Sequence, residues 1–195
     1  MKKILLVLLL GVILTVSGVF ADHPGGWGIG LMGNGGWGYG RGTLGGGAIT
    51  LKAPMLPIYW GISGDFGYGY MGIGLSGDYY LIDNNLADFD VTHLGWYLGL
   101  GGYFGFTTYD SGVYYSGSKK YGWSSLSLGA RLPIGLSFQI PVSNLGIEFF
   151  AALIPNIGIG MYFWDKEFDD YWGSRRDKFG LIGGIGGEAG FRLWF

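Results

Sequence analysis

The chain contains no cysteine and few charged residues. None of its 195 residues can form a disulfide or a thiolate metal ligand, and the length indicates one domain. Charged residues make up 13% of the chain, compared with about 25% in ordinary soluble proteins, and the formal net charge is −2. Nucleic-acid binding would need clustered lysine and arginine, so we expect no nucleic-acid partner.

Long apolar runs are also scarce. The longest, Ile4 to Val16, follows Lys2 and Lys3 and precedes the cleavage pattern Val19-Phe20-Ala21. Thirteen helical residues span only about 20 Å, which is short of the roughly 30 Å hydrocarbon core of a bilayer. We therefore interpret residues 1–21 as a cleaved signal peptide rather than as a membrane anchor.

Glycine and aromatic residues are abundant in what remains. Glycine accounts for 42 of the 195 residues and aromatics for 18%. Each glycine in a helix interior costs about 1 kcal/mol, so a helical bundle is disfavoured. We expect residues 22–195 to form one exported all-β domain with 10 basic and 14 acidic residues.

Apolar and small or polar residues alternate along most of this domain. Between Ser125 and Gln139 the even positions hold leucine, alanine, isoleucine and phenylalanine, whereas the odd positions hold serine, glycine, arginine, proline and glutamine. Such a period of two is typical of strands with two unlike faces. The pattern predicts eight strands: Trp27–Gly33, Gly47–Ala53, Ile58–Phe66, Met71–Leu81, Leu94–Thr107, Ser125–Gln139, Leu145–Pro155 and Leu181–Phe195.

Side-chain volume predicts which face of these strands points inward. The interior of an eight-stranded barrel is just wide enough to be filled by side chains, and the large apolar faces cannot all fit there. An apolar band on the outside of a closed sheet is tolerated in lipid. We therefore predict an eight-stranded antiparallel up-and-down transmembrane β-barrel. The alternative is a soluble lipocalin-like cup or sandwich, whose solvent face would be mostly glycine.

Seven charged residues are then predicted to face the lumen. An unpaired ion in a narrow lumen costs several kcal/mol in lost hydration, so these charges should pair or hold water. Glu148 and Arg192 lie at the same end of adjacent strands, and we predict that they touch. The network is interpreted as a structural plug, with a gate or proton path as the alternative. Its members are Lys52, Asp65, Asp78, Arg131, Glu148, Glu188 and Arg192.

Proline and the expected connections raise two difficulties. Pro133 cannot donate a hydrogen bond to a neighbouring strand, and a β-bulge there would resolve this. One inner turn is also expected to be unusually long. The outer loops are predicted at 34–45, 67–69, 108–122 and 158–178, and the inner turns at 54–57, 82–93 and 140–144.

The last outer loop interleaves charges with aromatic residues. Arginine and aromatic side chains are common in protein contact surfaces, which predicts a patch that binds a host or extracellular-matrix protein. The alternative is an aromatic girdle at the membrane interface. The patch consists of Trp164, Lys166, Tyr171, Trp172, Arg175 and Arg176.

The sequence does not favour catalysis, a metal or a cofactor. His23 and His93 are the two histidines, and neither has an obvious serine and carboxylate at matching depth. A pairing of His93 with Asp90 would be compatible with the spacing. The matches to G-x-G-x-x-G at Gly28 and Gly67 do not open a helix, so they do not predict dinucleotide binding.

The C-terminal run Gly190-Phe191-Arg192-Leu193-Trp194-Phe195 resembles the closing strand of bacterial outer-membrane proteins. The resemblance implies that Phe191, Leu193 and Phe195 form the signal recognised by the barrel-assembly machinery. In size and strand number the chain is similar to small OmpA-, OmpX- and OmpW-like barrels. Residues 129–135 and 145–150 also look like a group of spirochaete surface barrels.

These observations predict a monomeric barrel in outer-membrane lipid, without a catalytic centre. Its expected role is structural, or surface interaction through its extracellular loops. A narrow channel for small or hydrophobic solutes is the first alternative, and a lipid-modifying enzyme is the second.

Overall fold

The computed structural model describes residues 24–39, 41–67, 69–110, 122–142, 144–164 and 179–195. In this part of the chain no helix is long and apolar enough to cross a membrane. Its regular structure consists of nine strands: β1 (Gly28–Tyr39), β2 (Arg41–Lys52), β3 (Tyr59–Gly67), β4 (Tyr70–Phe89), β5 (Thr92–Asp110), β6 (Gly122–Arg131), β7 (Ile134–Val142), β8 (Leu145–Trp164) and β9 (Phe179–Trp194).

The nine strands close into one antiparallel barrel. Each of β1 to β5 pairs with the next strand along the chain, β5 and β8 each pair with both β6 and β7, and β9 pairs with β8 and β1. β6 and β7 are therefore two halves of one barrel strand, which leaves eight positions around the ring. The predicted all-β, up-and-down barrel is confirmed, and the ring has no open edge.

The register of the ladder gives the stagger of the barrel. Starting at Gly28 on β1, successive paired residues lead once around the ring to Gly38 on the same strand, a displacement of ten residues. With eight strands, a rise of about 3.3 Å per residue and a spacing of about 4.8 Å, this stagger corresponds to a strand tilt of about 41°. The path runs Gly28, Lys52, Tyr59, Asp78, Gly101, Arg131, Asn156, Gly184, Gly38.

Pro133 interrupts a barrel strand without forming a bulge. The pairing with β5 and with β8 continues across the break without an inserted residue. The Gly99 amide donates to the Pro133 carbonyl at 2.8 Å, and the Leu132 amide donates to the Pro155 carbonyl at 2.9 Å. Because neither proline has an N–H, the reciprocal bonds cannot form. The wall accommodates the prolines by omitting ladder bonds, not by changing register.

Several predicted loops are instead paired strand. β1 and β2 extend through most of the loop expected at 34–45, with Gly38 paired to Arg41. β8 likewise continues to Trp164, inside the loop expected from residue 158. The end of β8 keeps the outward apolar face of the wall, because Ile157, Met161 and Phe163 are exposed there. The remaining outer segments, 111–121 and 165–178, lie outside the described residues.

The inner turn predicted at 82–93 is also wrong. β4 continues to Phe89 and β5 begins at Thr92, with register shifts along β4. Asp90 has a φ of 48°, a left-handed conformation that aspartate tolerates better than most residues. The Thr92 hydroxyl donates to the Phe89 carbonyl at 3.0 Å and fixes this tight turn. The long inner connection is therefore a strand hairpin.

The apolar face of the strands points outward, as predicted. Leu153 is 64% exposed on β8, and Ile73 and Ile185 are each 62% exposed on β4 and β9. The inward face carries buried Thr50, Ser137, Glu148 and Arg192 instead. This distribution is opposite to that of a soluble barrel, in which the apolar residues fill the core.

Glycines on the inward face make room for aromatic rings. Gly135 on β7 pairs directly with Tyr97 on β5, whose side chain is 1% exposed. A Cβ atom added to Gly135 would overlap the Tyr97 ring. Small residues opposite large ones thus fill the narrow lumen, as close packing requires.

Gly135→Ala is expected to lower the free energy of unfolding by about 1–3 kcal/mol, because the added methyl group overpacks the lumen. Urea titration of the folded barrel in vesicles measures the change. Gly47→Ala is the matched control, since a Cβ there meets no atom within 4 Å. Equal effects of the two substitutions would contradict the packing argument.

Candidate functional site

An ion pair between the neighbouring strands β8 and β9 lies in the lumen, near the end of the barrel where β1 begins and β9 ends. At this terminal end the backbones of Trp27 and Phe195 hydrogen-bond to each other at 2.9 and 3.2 Å. Nearby, Arg192 Nη1 donates to both carboxylate oxygens of Glu148, at 3.1 and 3.2 Å. Glu148 is 0% exposed, so this contact, predicted from the sequence, is fully enclosed.

Two further groups complete the hydrogen bonding of the pair. Arg192 Nε donates to the Thr50 hydroxyl at 3.0 Å, and the indole Nε1 of Trp194 donates to Glu148 Oε2 at 2.9 Å. A buried ion pair is tolerated when its remaining polar atoms are also satisfied. The alternation of the sequence did not identify Thr50 or Trp194 as partners of the pair.

Aromatic rings fill the space around the ion pair. Tyr80 stacks between Tyr59 and Tyr97, with ring centroids 3.9 and 4.3 Å apart. The guanidinium carbon of Arg192 lies 4.1 Å from the Phe150 ring centroid and 4.9 Å from that of Tyr59, within cation–π range. We call this assembly the plug; its members are Thr50, Tyr59, Tyr80, Tyr97, Glu148, Phe150, Arg192 and Trp194.

A second ionic cluster lies farther along the lumen. Arg131 Nη2 donates to Glu188 Oε2 at 2.7 Å. Its Nε atom lies 2.9 Å from Asp78 Oδ1, which is ion-pair distance without hydrogen-bond alignment. Arg131 and Asp78 are both buried. We call these three residues the Arg131 cluster.

The free space in the lumen is distributed unevenly. Around the plug a void of only about 10 Å³ remains, which is the least that a single water needs. Beyond the Arg131 cluster, a cavity of about 160 Å³ extends toward the ends of β5 and β6. This upper cavity is lined by Asn34, Ser63, Asp65, Tyr103, Ser127 and Asn156, among others.

The other two predicted lumen charges are Lys52 and Asp65. Lys52 Nζ donates to the Ala53 carbonyl at 2.7 Å and lies 5.8 Å from the Tyr59 ring centroid. Asp65 lines the upper cavity. Five of the seven predicted lumen charges therefore lie in the plug and in the Arg131 cluster.

His93 lies on the hairpin of β4 and β5, where its side chain is 42% exposed. Its Nδ1 atom is 2.5 Å from Asp88 Oδ1, so the carboxylate partner of His93 is Asp88, not Asp90, whose spacing was also compatible with a pairing. Asn85 Nδ2 also donates to Asp88 at 2.5 Å, and the hydrogen bonds from His93 and Asn85 lower the pKa of the exposed Asp88 carboxyl. Within the described ranges no three histidine, aspartate or glutamate residues are grouped to hold a metal ion.

Two sequence hypotheses concern residues with little or no described environment. Most of the proposed contact patch lies outside the described residues: Lys166, Tyr171, Trp172, Arg175 and Arg176. Trp164 is described only as the last residue of β8. His23 and the predicted signal peptide also lie outside the described residues. The proposed assembly signal lies on the outer face of β9, where Phe191 and Phe195 are exposed and Leu193 is half-buried.

Comparison with known proteins gives two similar solved structures. The N-terminal β-barrel domain of Pseudomonas aeruginosa OprF matches with 13% identity over 84% of this chain and 96% of its own, with a TM-score of 0.37. A major outer membrane protein from Thermus thermophilus matches with 15% identity over 87% of this chain and 100% of its own, with a TM-score of 0.36. No family model matches the chain, and no curated protein does.

Proposed function

We propose that the chain is an outer-membrane barrel whose lumen is closed by the plug, and that its role is structural or surface-presenting rather than conductive. The observation that carries this proposal is the void of about 10 Å³ at the plug. Stacked tyrosines and a fully buried ion pair occupy the cross-section there. A hydrated ion cannot pass through a space that holds at most one water.

The outward face supports location in a membrane. Large apolar side chains such as Leu128, Leu153 and Ile185 are more than half exposed on three strands. A closed ladder has no edge with unpaired backbone groups, as the interior of a bilayer requires. The predicted signal peptide and C-terminal signal are consistent with export to the outer membrane of a bacterium and with assembly there.

The surface-binding part of the proposal rests on the composition of residues 165–178. Phe168, Tyr171 and Trp172 lie among nine charged residues in this segment. The segment connects β8 to β9, and binding residues are common in loops that a rigid scaffold carries. Binding of a host or extracellular-matrix protein there is the proposed surface role.

Conductance of the purified chain in a planar bilayer tests the closed lumen. We expect no steady openings from the native chain, whereas Tyr80→Ala should conduct because it removes the central ring of the stack. Tyr79→Ala is the matched control, since the neighbouring tyrosine lies on the opposite face of β4. Steady openings of the native chain, or equal conductance of the two variants, would reject the plug.

A further inference from the structure

The hairpin of β4 and β5 extends beyond the closed ring at the terminal end of the barrel. The pairing of β4 with β3 stops where Tyr59 meets Asp78, whereas its pairing with β5 continues until Phe89 meets Thr92. In the part of the chain that the structure describes, residues 82–89 form backbone hydrogen bonds with β5 alone. We call residues 82–93 the rim hairpin; its β4 half has a free edge.

The free edge is held in place by the side chains of the hairpin itself. Asn85 Nδ2 and His93 Nδ1 each lie 2.5 Å from Asp88 Oδ1, and the hydroxyl of Thr92 fixes the turn. Free edges are commonly protected by lysine or proline, and residues 82–89 contain neither. An extended segment can therefore add to β4 through main-chain hydrogen bonds without first ordering the hairpin. The register shifts of β4 bend the strand, so we expect a short paired stretch.

The exposed side chains of the rim hairpin are apolar and acidic. Leu86 and Phe89 are each 55% exposed, and Val91 is 66% exposed. The side chain of Asp88 is 63% exposed, and Asp90 at the turn is exposed as well. A partner that binds here is therefore expected to bring apolar side chains together with positive charge.

The distribution of basic residues also favours a positively charged partner. The inner connections predicted at 54–57, 82–93 and 140–144 contain no lysine or arginine. Lys52 and Arg192 lie near the terminal end, but they are only 8% and 3% exposed. The described surface of this end therefore presents carboxylates without a competing exposed cation, which is the electrostatic complement of a basic partner.

We propose that the rim hairpin binds a basic, extended polypeptide segment, which adds as a strand to the free edge of β4 and contacts Leu86, Phe89 and Val91. The inference concerns the opposite end of the barrel from the proposed surface patch, and it does not require that the plug prevents conduction. Peptide binding can therefore fail while conductance remains absent, and the two proposals are tested separately.

Fluorescence anisotropy of a labelled octapeptide of alternating lysine and valine, added to the folded chain in a zwitterionic detergent, tests the inference. We expect saturable binding that weakens as salt is added, because the charges involved are exposed. One control peptide has glutamate in place of lysine. The other is N-methylated at every residue and cannot donate backbone hydrogen bonds. Each control should bind at least tenfold more weakly.

Substitutions in the hairpin locate the site. Asp90→Asn should weaken binding about threefold by removing one exposed charge, and asparagine also tolerates the φ of 48° at this position. Phe89→Ser combined with Val91→Ser should weaken binding about tenfold by removing apolar contacts. Glu167→Gln is the matched control, because it removes a carboxylate from the connection between β8 and β9 and should leave the dissociation constant unchanged. Heat-dependent gel mobility shows that each variant is folded.

A label at the tip distinguishes a polypeptide partner from lipid. The chain has no cysteine, so Val91→Cys can carry a single environment-sensitive fluorophore. In vesicles we expect the emission of a water-exposed label, with a shift when the lysine–valine peptide is added. The inference is overturned if that peptide does not bind, if the N-methylated peptide binds equally well, if Glu167→Gln weakens binding as much as Asp90→Asn does, or if the label is already buried in lipid without peptide.

Discussion

Replacing Glu148 by alanine should lower the free energy of unfolding by about 3–5 kcal/mol, because the substitution leaves the Arg192 charge buried without its partner. Glu148 accepts hydrogen bonds from Arg192 and from Trp194, and it is fully enclosed. The neighbouring void of about 10 Å³ holds at most one water, which hydrates the unpaired guanidinium poorly. Urea unfolding of the barrel reconstituted in vesicles measures the loss.

The double variant Glu148→Leu with Arg192→Leu distinguishes the effect of an unpaired charge on stability from the effect of lost packing. Removing both charges eliminates the uncompensated ion, so the double variant should be more stable than Glu148→Ala alone. Asp88→Ala, which removes an exposed carboxylate, should change stability by less than about 0.5 kcal/mol. A Glu148→Ala barrel as stable as the native one would refute the role of the pair.

Leu153→Arg should destabilise the barrel by about 2–4 kcal/mol in lipid vesicles, because it places a charge on the outer face within the apolar band. Leu153 is 64% exposed and lies in the middle of β8, between the terminal end and the outer connection. In a soluble barrel the same exposed position would accept arginine with little cost. The experiment therefore tests whether the outer face of the barrel contacts lipid or water.

Val91→Arg provides the control for this substitution. Val91 is 66% exposed but lies in the turn between β4 and β5, beyond the band of paired barrel strands. Its replacement should change stability by less than about 0.5 kcal/mol. If Leu153→Arg were tolerated as well as Val91→Arg, the outer face would not be in contact with acyl chains.

The two faces of the sheet and one ion pair were predictable from the sequence because they depend on short-range rules. Alternation along residues 125–139 assigns each side chain to a face without knowledge of its neighbours. Glu148 and Arg192 lie near the joined ends of consecutive strands, so strand order alone brings them together.

The tyrosine stack and the strand ends were not predictable in the same way. Tyr80 contacts Tyr59 and Tyr97 diagonally, because Tyr59 pairs with Asp78 and Gly99 pairs with Tyr80. Such contacts depend on the register between strands, which alternation does not specify.

The closed ladder also constrains how such a sequence can change. Every strand of the closed ring is hydrogen-bonded to a neighbour on both sides, so a strand cannot slip without breaking both sets of bonds. A one-residue insertion within β9 would turn Arg192 toward lipid and Phe191 toward the lumen. Insertions at the hairpin tips leave every rung in place, so evolutionary variation in length is expected to accumulate at the tips while the wall keeps its residue count.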